Sequence, residues 1–413
     1  MTTEAPASVD FDHHSPEYAQ RWPEIYAELR GKCPVAHTEA HGGYTVLTRY
    51  EDVERVVKDD VTFSSKHDMA EGSIWGGITL PSPPIISIPI EMDPPEYTPY
   101  RKVLNPWFSP ARSKSYEPFT RSVTIALIDE VIESGRIELV EHLASPVPAL
   151  LTAKLLGVPL SDWRLYSDAA HTIVFTPPES PGFPGALEKM LAVIGKCFET
   201  VVARREKPED DLISLFVTMD VDGEKLSDET VIGMCNLIIA GGNDTTTSLL
   251  SNAFAWLSQH PDQKQWLIDD PSRIPHACEE FLRFYTPTQA LARTVTTDVE
   301  IGGQRLTRGD RVLMSFASAN RDPEVFDRPD EILLDRWPNK HQAFGLGLHR
   351  CLGSNLTRVE FTVVLEEVLR RIPDFVVDLD GSHRYDTIGI VNGWMDMPAT
   401  FTPGPREGSD FTL

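Results

Sequence analysis

The 413-residue chain is short of positive charge. Its 38 lysines and arginines face 62 aspartates and glutamates, a formal net charge of −24 at pH 7. That balance excludes phosphate backbones, and hence nucleic acid, and anionic membrane surfaces as general partners, because both bind through positive patches. Long apolar runs are missing too: stretches such as Ala253 to Leu257 fall far below the roughly 20 residues that cross a bilayer, so no membrane span is expected. The N-terminal segment has neither the basic start nor the apolar middle of a secretory signal, which points to a cytoplasmic chain. Cysteine is sparse. Cys33, Cys197, Cys235, Cys278 and Cys351 are odd in number and nowhere form a CxxC, so they supply neither a disulfide framework nor a zinc motif. Repeats and low-complexity tracts are also absent, and nothing in the composition marks a domain boundary. One large unit is therefore expected over residues 10–402, with flexible ends at 1–9 and 403–413.

What is present is mostly helical pattern. Gly43 to Thr48 followed by Tyr50 to Val57 reads as strand then helix. From Lys66 to Pro95 the pattern dissolves into Gly, Pro and Ser with scattered apolar residues, the composition of a lid, a binding loop or an irregular connection. Helices are expected over Tyr116 to Ser134 and Leu187 to Arg205, with Pro177, Pro178, Pro181 and Pro184 marking a mobile surface segment between them. The strongest periodicity runs from Ser227, a plausible N-cap, to His260, and a helix of that length would be roughly 50 Å long. Val299 to Leu306 reads as a hairpin turning at Gly302-Gly303, and Arg311 to Phe316 as a further strand. The fold class is mainly α with small β-sheets.

Two segments break local rules. Inside the long helix stands Ala240-Gly241-Gly242-Asn243-Asp244-Thr245-Thr246-Thr247. Each glycine costs about 1 kcal/mol relative to alanine there, and the threonines add crowding. Gly241 and Thr245 share a face, so a flat ligand could approach beside the hydroxyl; close packing of two helices through small residues is the other reading. The second segment is Phe344-Gly345-Leu346-Gly347-Leu348-His349-Arg350-Cys351-Leu352-Gly353, leading into an amphipathic helix from about Ser354 to Arg371. A cysteine near a helix N-terminus is biased toward thiolate, the form a soft metal requires, although a lone cysteine is usually a small core residue.

The pattern Phe-Gly-x-Gly-x-His-x-Cys-x-Gly resembles the heme-ligating loop of the cytochrome P-450 superfamily, and the threonine-bearing helix resembles its oxygen-binding central helix. Glu280 and Arg283, with Arg336 downstream, are similar to the family's Glu-x-x-Arg triad. The segment from Asp93 to Arg101 is similar to its approach to a heme-flanking helix. The resemblance implies a single large triangular-prism-like domain, with heme b between the central helix and the cysteine-loop helix. It implies Cys351 as axial thiolate to iron, favouring O–O cleavage. Phe344 would pack beside the sulfur, Gly345 and Gly241 would let backbone approach the ring, and Arg101, Arg293 and His349 would hold the propionates. Tyr97 stands where many members have His, and its hydroxyl would donate to a propionate instead. Asp244 and Thr245 match the acid–alcohol pair that resembles a proton relay to dioxygen.

The implied activity is insertion of one oxygen atom of dioxygen into a C–H bond of an apolar terpenoid, fatty acid, steroid or aromatic. Its pocket would be walled by Ile74, Trp75, Ile85, Ile86, Leu237, Asn243, Leu291, Ile390, Val391 and Trp394. With no flavin or iron–sulfur domain appended, electrons would come from NAD(P)H through a separate reductase and a ferredoxin-type donor. That acidic partner would dock on Arg112, Lys114, Arg350 and Arg358. Rival readings are a peroxide-using heme-thiolate enzyme and a non-catalytic heme sensor.

Overall fold

Ser15 opens the first long helix, Pro16–Lys32: its side chain accepts a hydrogen bond from the Tyr18 N–H, and Pro16 sits in the first turn, where a missing donor costs nothing. Tyr18, Trp22 and Tyr26, spaced four apart, line the buried face of this helix and share one cluster with Tyr44, Val46 and Leu313 of the main sheet. The computed structural model describes residues 7–178 and 180–412. Its main sheet has six strands in the spatial order Ala7–Ser8, Val35–Thr38, Tyr44–Leu47, Arg311–Met314, Leu291–Val295 and Phe63–Ser64. The pairing of Arg311–Met314 is parallel to Tyr44–Leu47 and antiparallel to Leu291–Val295, setting Val312 opposite Arg293. The expected hairpin is present as Val299–Ile301 and Gln304–Leu306.

Helices form the larger part. Leu249, Leu250, Ala253, Phe254 and Leu257 on Asp244–Gln259 meet Phe281 on Ile274–Tyr285 and Phe361, Val364 and Val368 on Ser354–Arg371, all fully buried. Each such aliphatic or aromatic side chain contributes about 1.5–3 kcal/mol, and together they hold the cysteine-loop helix against the central helix. Between Ser64 and Tyr97 there is neither helix nor strand, as the composition predicts.

Three expectations are corrected. The central helix is not continuous: it runs Asp228–Gly242 and Asp244–Gln259, broken at Asn243 with φ −92° and ψ −77°. Side-chain donors compete there for helical carbonyls, Asn243 Nδ2 to Ile239 O at 2.7 Å, Thr245 Oγ1 to Gly241 O at 2.8 Å and Thr247 Oγ1 to Asn243 O at 3.2 Å, and such substitution distorts a helix. The order at the N-terminus begins before Asp10, since Ala7–Ser8 pairs in parallel with Ala36 and His37; residues 1–6 lie outside the described residues. The C-terminal segment is docked, not frayed. Asp129 accepts from the backbone N–H groups of Glu407 and Gly408, Arg370 pairs with Glu407 at 2.6 Å, and Phe411 packs edge-on to Phe119. Ionic and aromatic anchors of this kind carry no periodicity that a sequence reading detects.

Candidate active site

Cys351 sits at the end of a loop that only glycine could thread. Gly345 and Gly347 adopt left-handed φ of 62° and 63°, and the turn closes with the Cys351 N–H donating to Phe344 O at 2.8 Å. Phe344 lies beside the loop with the Arg358 guanidinium 4.7 Å above its ring. The surface that Cys351 presents belongs to a cavity of about 750 Å³, whose wall also includes Gly241, Thr245, Leu237, Leu291, Ile390, Val391 and Ile85. Burial pushes the thiol up, and the Gly353 N–H and the charges of Arg101, Arg350 and Arg358 only partly offset this. The helix N-terminus thus assists ionisation without achieving it, and a metal ion is what would complete it.

In the same cavity wall as Cys351, the two glycines have different surroundings. A Cβ on Gly242 would fall 2.6 Å from Thr152 Oγ1, so Gly242 serves helix packing. One on Gly241 would meet nothing within 4 Å, so Gly241 opens onto the cavity.

At the cavity's edge three nitrogen-rich side chains converge without a carboxylate among them. Arg293 is 4% exposed, and its own bonded partner is the Ala292 carbonyl at 2.8 Å; burial lowers it to about 10. Arg101 donates to the Arg350 carbonyl at 2.7 Å. Both ring nitrogens of His349 are buried and unpartnered, and burial together with Arg293 and Arg101 pushes its pKa down to about 3. Buried donors require acceptors, and two propionates would supply them to the two guanidiniums and to the single N–H of the neutral His349 ring. The residues therefore fit heme: Cys351 and Gly241 share one cavity wall with Arg101, Arg293 and His349, and would hold the metal, admit the ring and pair the propionates. Tyr97 departs from the expected role, because its hydroxyl donates to Leu348 O at 2.8 Å and its ring packs 4.5 Å from His349. It braces the cysteine loop.

The acid of the acid–alcohol pair is turned away. Asp244 is 2% exposed and absent from the cavity wall; it accepts from Tyr385 Oη at 2.8 Å and lies 2.7 Å from His171 Nδ1. Burial disfavours the His171 imidazolium, but the Asp244 charge outweighs it and the pKa is raised, while burial drives Tyr385 well above its ordinary range. Neither His171 nor Tyr385 carries a spacing signal, because Asp244 meets them only in three dimensions. Glu360 was also hidden. It lies in the cavity wall with Oε1 unpartnered, and burial raises it to about 8. The available signal was a carboxylate on the apolar face of Ser354–Arg371, four residues after Leu356.

Five expected wall residues lie elsewhere. Ile74 packs beside Gly309 and Trp75 turns its carbonyl to the Asp68 N–H. Ile86 sets its carbonyl against Gly233. Asn243 bonds back to its own helix, and Trp394 donates to Asn252 Oδ1 at 3.1 Å beneath the Arg384 guanidinium. Val174, Leu155 and Leu80 take their place in the wall. The Glu280 triad is assembled and is no surface pair: Glu280 and Arg283 are 0% exposed, with Arg283 Nε and Nη2 both 2.8 Å and Arg336 Nε 3.0 Å from the carboxylate. Of the basic quartet, Arg358 is tied to Glu279 at 2.6 Å and Arg112 lies over Trp107, leaving Lys114 and Arg350 exposed. Among the described residues no helix is long and apolar enough to cross a membrane.

A helical body that presents a cysteine thiol, a glycine-threonine helix and a propionate corner around one cavity defines a heme-thiolate protein. The family model for cytochrome P450 matches residues 175–273 and 274–380. A steroid C26-monooxygenase of Mycobacterium tuberculosis (strain ATCC 25618 / H37Rv) is 36% identical over 387 residues, covering 93% of this chain and 94% of its own. Linalool 8-monooxygenase of Pseudomonas putida is 33% identical over 399 residues, 94% and 97% of the two chains. A Mycobacterium marinum cytochrome P450 solved with pseudoionone superposes with a TM-score of 0.87 at 28% identity, covering 97% of this chain and 100% of that one. The chain belongs to the cytochrome P450 family and is a monooxygenase, an oxidoreductase with heme as its implied cofactor.

Proposed function

We propose that this monooxygenase hydroxylates an apolar substrate of terpenoid or steroid class, with electrons passed from NAD(P)H through a reductase and a ferredoxin-type donor. The observation that carries the reading is the cavity between Thr245 and Cys351, whose substrate-facing wall of Leu80, Ile85, Val174, Leu237, Leu291 and Ile390 offers hydrocarbon and few polar handles. A hydrocarbon skeleton gains about 25 cal/mol per Å² of surface it buries there, whereas a carboxylated or sugar-like ligand would leave polar groups unpaired. The relatives named above for steroid and linalool oxidation support the same class.

When bound, heme supplies the activation of dioxygen and the oxidation of the C–H bond. The chain does the rest. Cys351 would hold the metal; Arg101, Arg293 and His349 would pair the propionates and so orient the ring. Thr245 stands in the wall with Oγ1 engaged at Gly241 O, able to pass a proton at that oxygen, and the Asp244–His171 pair behind it, with His171 one-fifth exposed, supplies the route from solvent. The apolar wall excludes water that would divert the proton. Lys114 and Arg350 form the docking point for the acidic electron donor.

Titrating the ferric protein with terpenoids, steroids, long-chain fatty acids and aromatic acids, while following the Soret band, tests the class. A saturable high-spin shift with a terpenoid or steroid, followed by mass-spectrometric detection of a singly oxygenated product in a ferredoxin-reconstituted assay, is expected. A shift confined to fatty or aromatic acids would overturn the substrate reading.

A further inference from the structure

Outside the cavity a second cluster of ligating side chains stands at the N-terminal edge of the sheet. One ligand atom each from Asp12, His13 and His41 lies within 4.8 Å of the others. We infer that Asp12, His13 and His41 form a divalent cation site of zinc class that staples the N-terminal arm to the turn at Ala40–Gly42.

The donors suit such an ion. His41 Nε2 is 2.9 Å from Asp12 Oδ1, and His13 is 2% exposed with its ring 5.6 Å from that of His41, centroid to centroid. Two imidazoles and one carboxylate are the nitrogen and oxygen ligands that zinc and its neighbours prefer. Asp12 Oδ1 is held in place by the His41 ring and by the His14 N–H at 2.8 Å. The partners of His13 decide its tautomer. Nε2 faces the Leu80 carbonyl at 3.1 Å and must carry the proton, so Nδ1, 2.8 Å from the Tyr44 hydroxyl, holds the lone pair. A ligating histidine with its other N–H donated to a backbone carbonyl is the arrangement that fixes ring orientation at metal sites. An ion at Nδ1 would replace the hydrogen bond from Tyr44, whose O–H would rotate away and keep its proton while the phenol oxygen stays beside the site.

The neighbouring His14 completes the support. Its Nε2 donates to the same Leu80 carbonyl at 2.8 Å, and its backbone N–H donates to Asp12 Oδ1. Since Leu80 lines the substrate cavity, the cluster joins the N-terminal arm, the sheet edge and the cavity wall. His13 is buried while Asp12 and His41 are partly exposed, so an ion held by these three side chains keeps a side open to solvent.

The test uses the heme-loaded protein, dialysed against ZnCl2, freed of loose metal by gel filtration and analysed for zinc, beside Asp12→Asn and His41→Gly. Glycine is chosen because position 41 has a φ of 49°, which it adopts without strain. About one zinc per chain is expected in the parent and none in either variant, with the Soret spectrum intact in all three as proof of folding. The parent should also gain thermal stability with zinc, and the variants should not. Zinc retained equally by parent and variants, as from the exposed His276 and His383, or no zinc in the parent, would overturn the site.

Discussion

Arg293 offers the most discriminating prediction, because one substitution should move two properties in opposite directions. Its guanidinium is enclosed, bonded among the described residues to the Ala292 carbonyl, and burial lowers it from 12.5 to about 10. Such a shift corresponds to about 3 kcal/mol working against the charged form. Asp93 and Glu91 counter it only at a distance, Asp93 being engaged by the Ser65 N–H and Glu91 by the N–H groups of Ile78 and Ser87. Arg293→Met keeps the length and removes the charge. The heme-stripped chain should then gain up to about 3 kcal/mol in urea unfolding, whereas loss of a charge-assisted bond to a propionate, about 1.5–3 kcal/mol, should raise heme dissociation about 10- to 150-fold. Transfer of heme to excess apomyoglobin measures the second effect and circular dichroism in urea the first. Unchanged heme transfer together with a destabilised heme-free chain would show that Arg293 serves only the sheet, and the propionate assignment would fail.

Other outcomes follow from the same geometry. Asp244→Asn should lower ferredoxin-supported turnover by about 10²-fold or more and enlarge the solvent isotope effect; unaltered turnover would remove Asp244 from the proton route. His171 has a raised pKa, so its pairing with Asp244 stabilises the fold fully below pH 6.5 and the contribution fades as pH rises through the higher folded value; His171→Gln should flatten that decline in thermal midpoint. Glu360 behaves in the opposite chemical sense but with the same slope: raised from 4.5 to about 8, it favours the fold below pH 4.5 and loses that advantage as pH climbs toward 8, so Glu360→Gln should gain stability over the parent most at alkaline pH. Glu280→Gln strands Arg283 and Arg336 and should cost about 3–5 kcal/mol in urea unfolding. Glu279→Gln, at a partly exposed pair with Arg358, should cost about 1 kcal/mol, and equal losses would refute the distinction.

Elements with strong local chemistry were legible before any fold was known. The glycine-threonine segment, the cysteine loop and the helix Ser354–Arg371 announce themselves by breaking or obeying propensity within a dozen residues. The cavity wall was read less well: Ile85, Leu237, Leu291, Ile390 and Val391 reach it, while Ile74, Trp75, Ile86, Asn243 and Trp394 do not. In loops without periodicity nothing in the residue string says which way a side chain faces.

What the amino-acid order marked by itself is two local anomalies, a Gly-Gly-Asn-Asp-Thr run inside a helix pattern and a Gly-x-Gly loop ahead of a cysteine at a helix start; the class of chemistry came from the resemblance of these motifs to the cytochrome P-450 superfamily, since spacing alone leaves a lone cysteine a core residue. Only the tertiary structure decided that Asp244 faces His171 and Tyr385 and not the cavity, that Asn243 breaks the central helix, that Glu360 lies unpartnered in the wall, and that Asp12, His13 and His41 meet. The contacts of Asp12 with His41 and of Asp244 with His171 and Tyr385 join residues 29, 73 and 141 positions apart, and the helix break depends on which donors win a carbonyl. Both are set by packing across the whole molecule, which no short window of sequence contains.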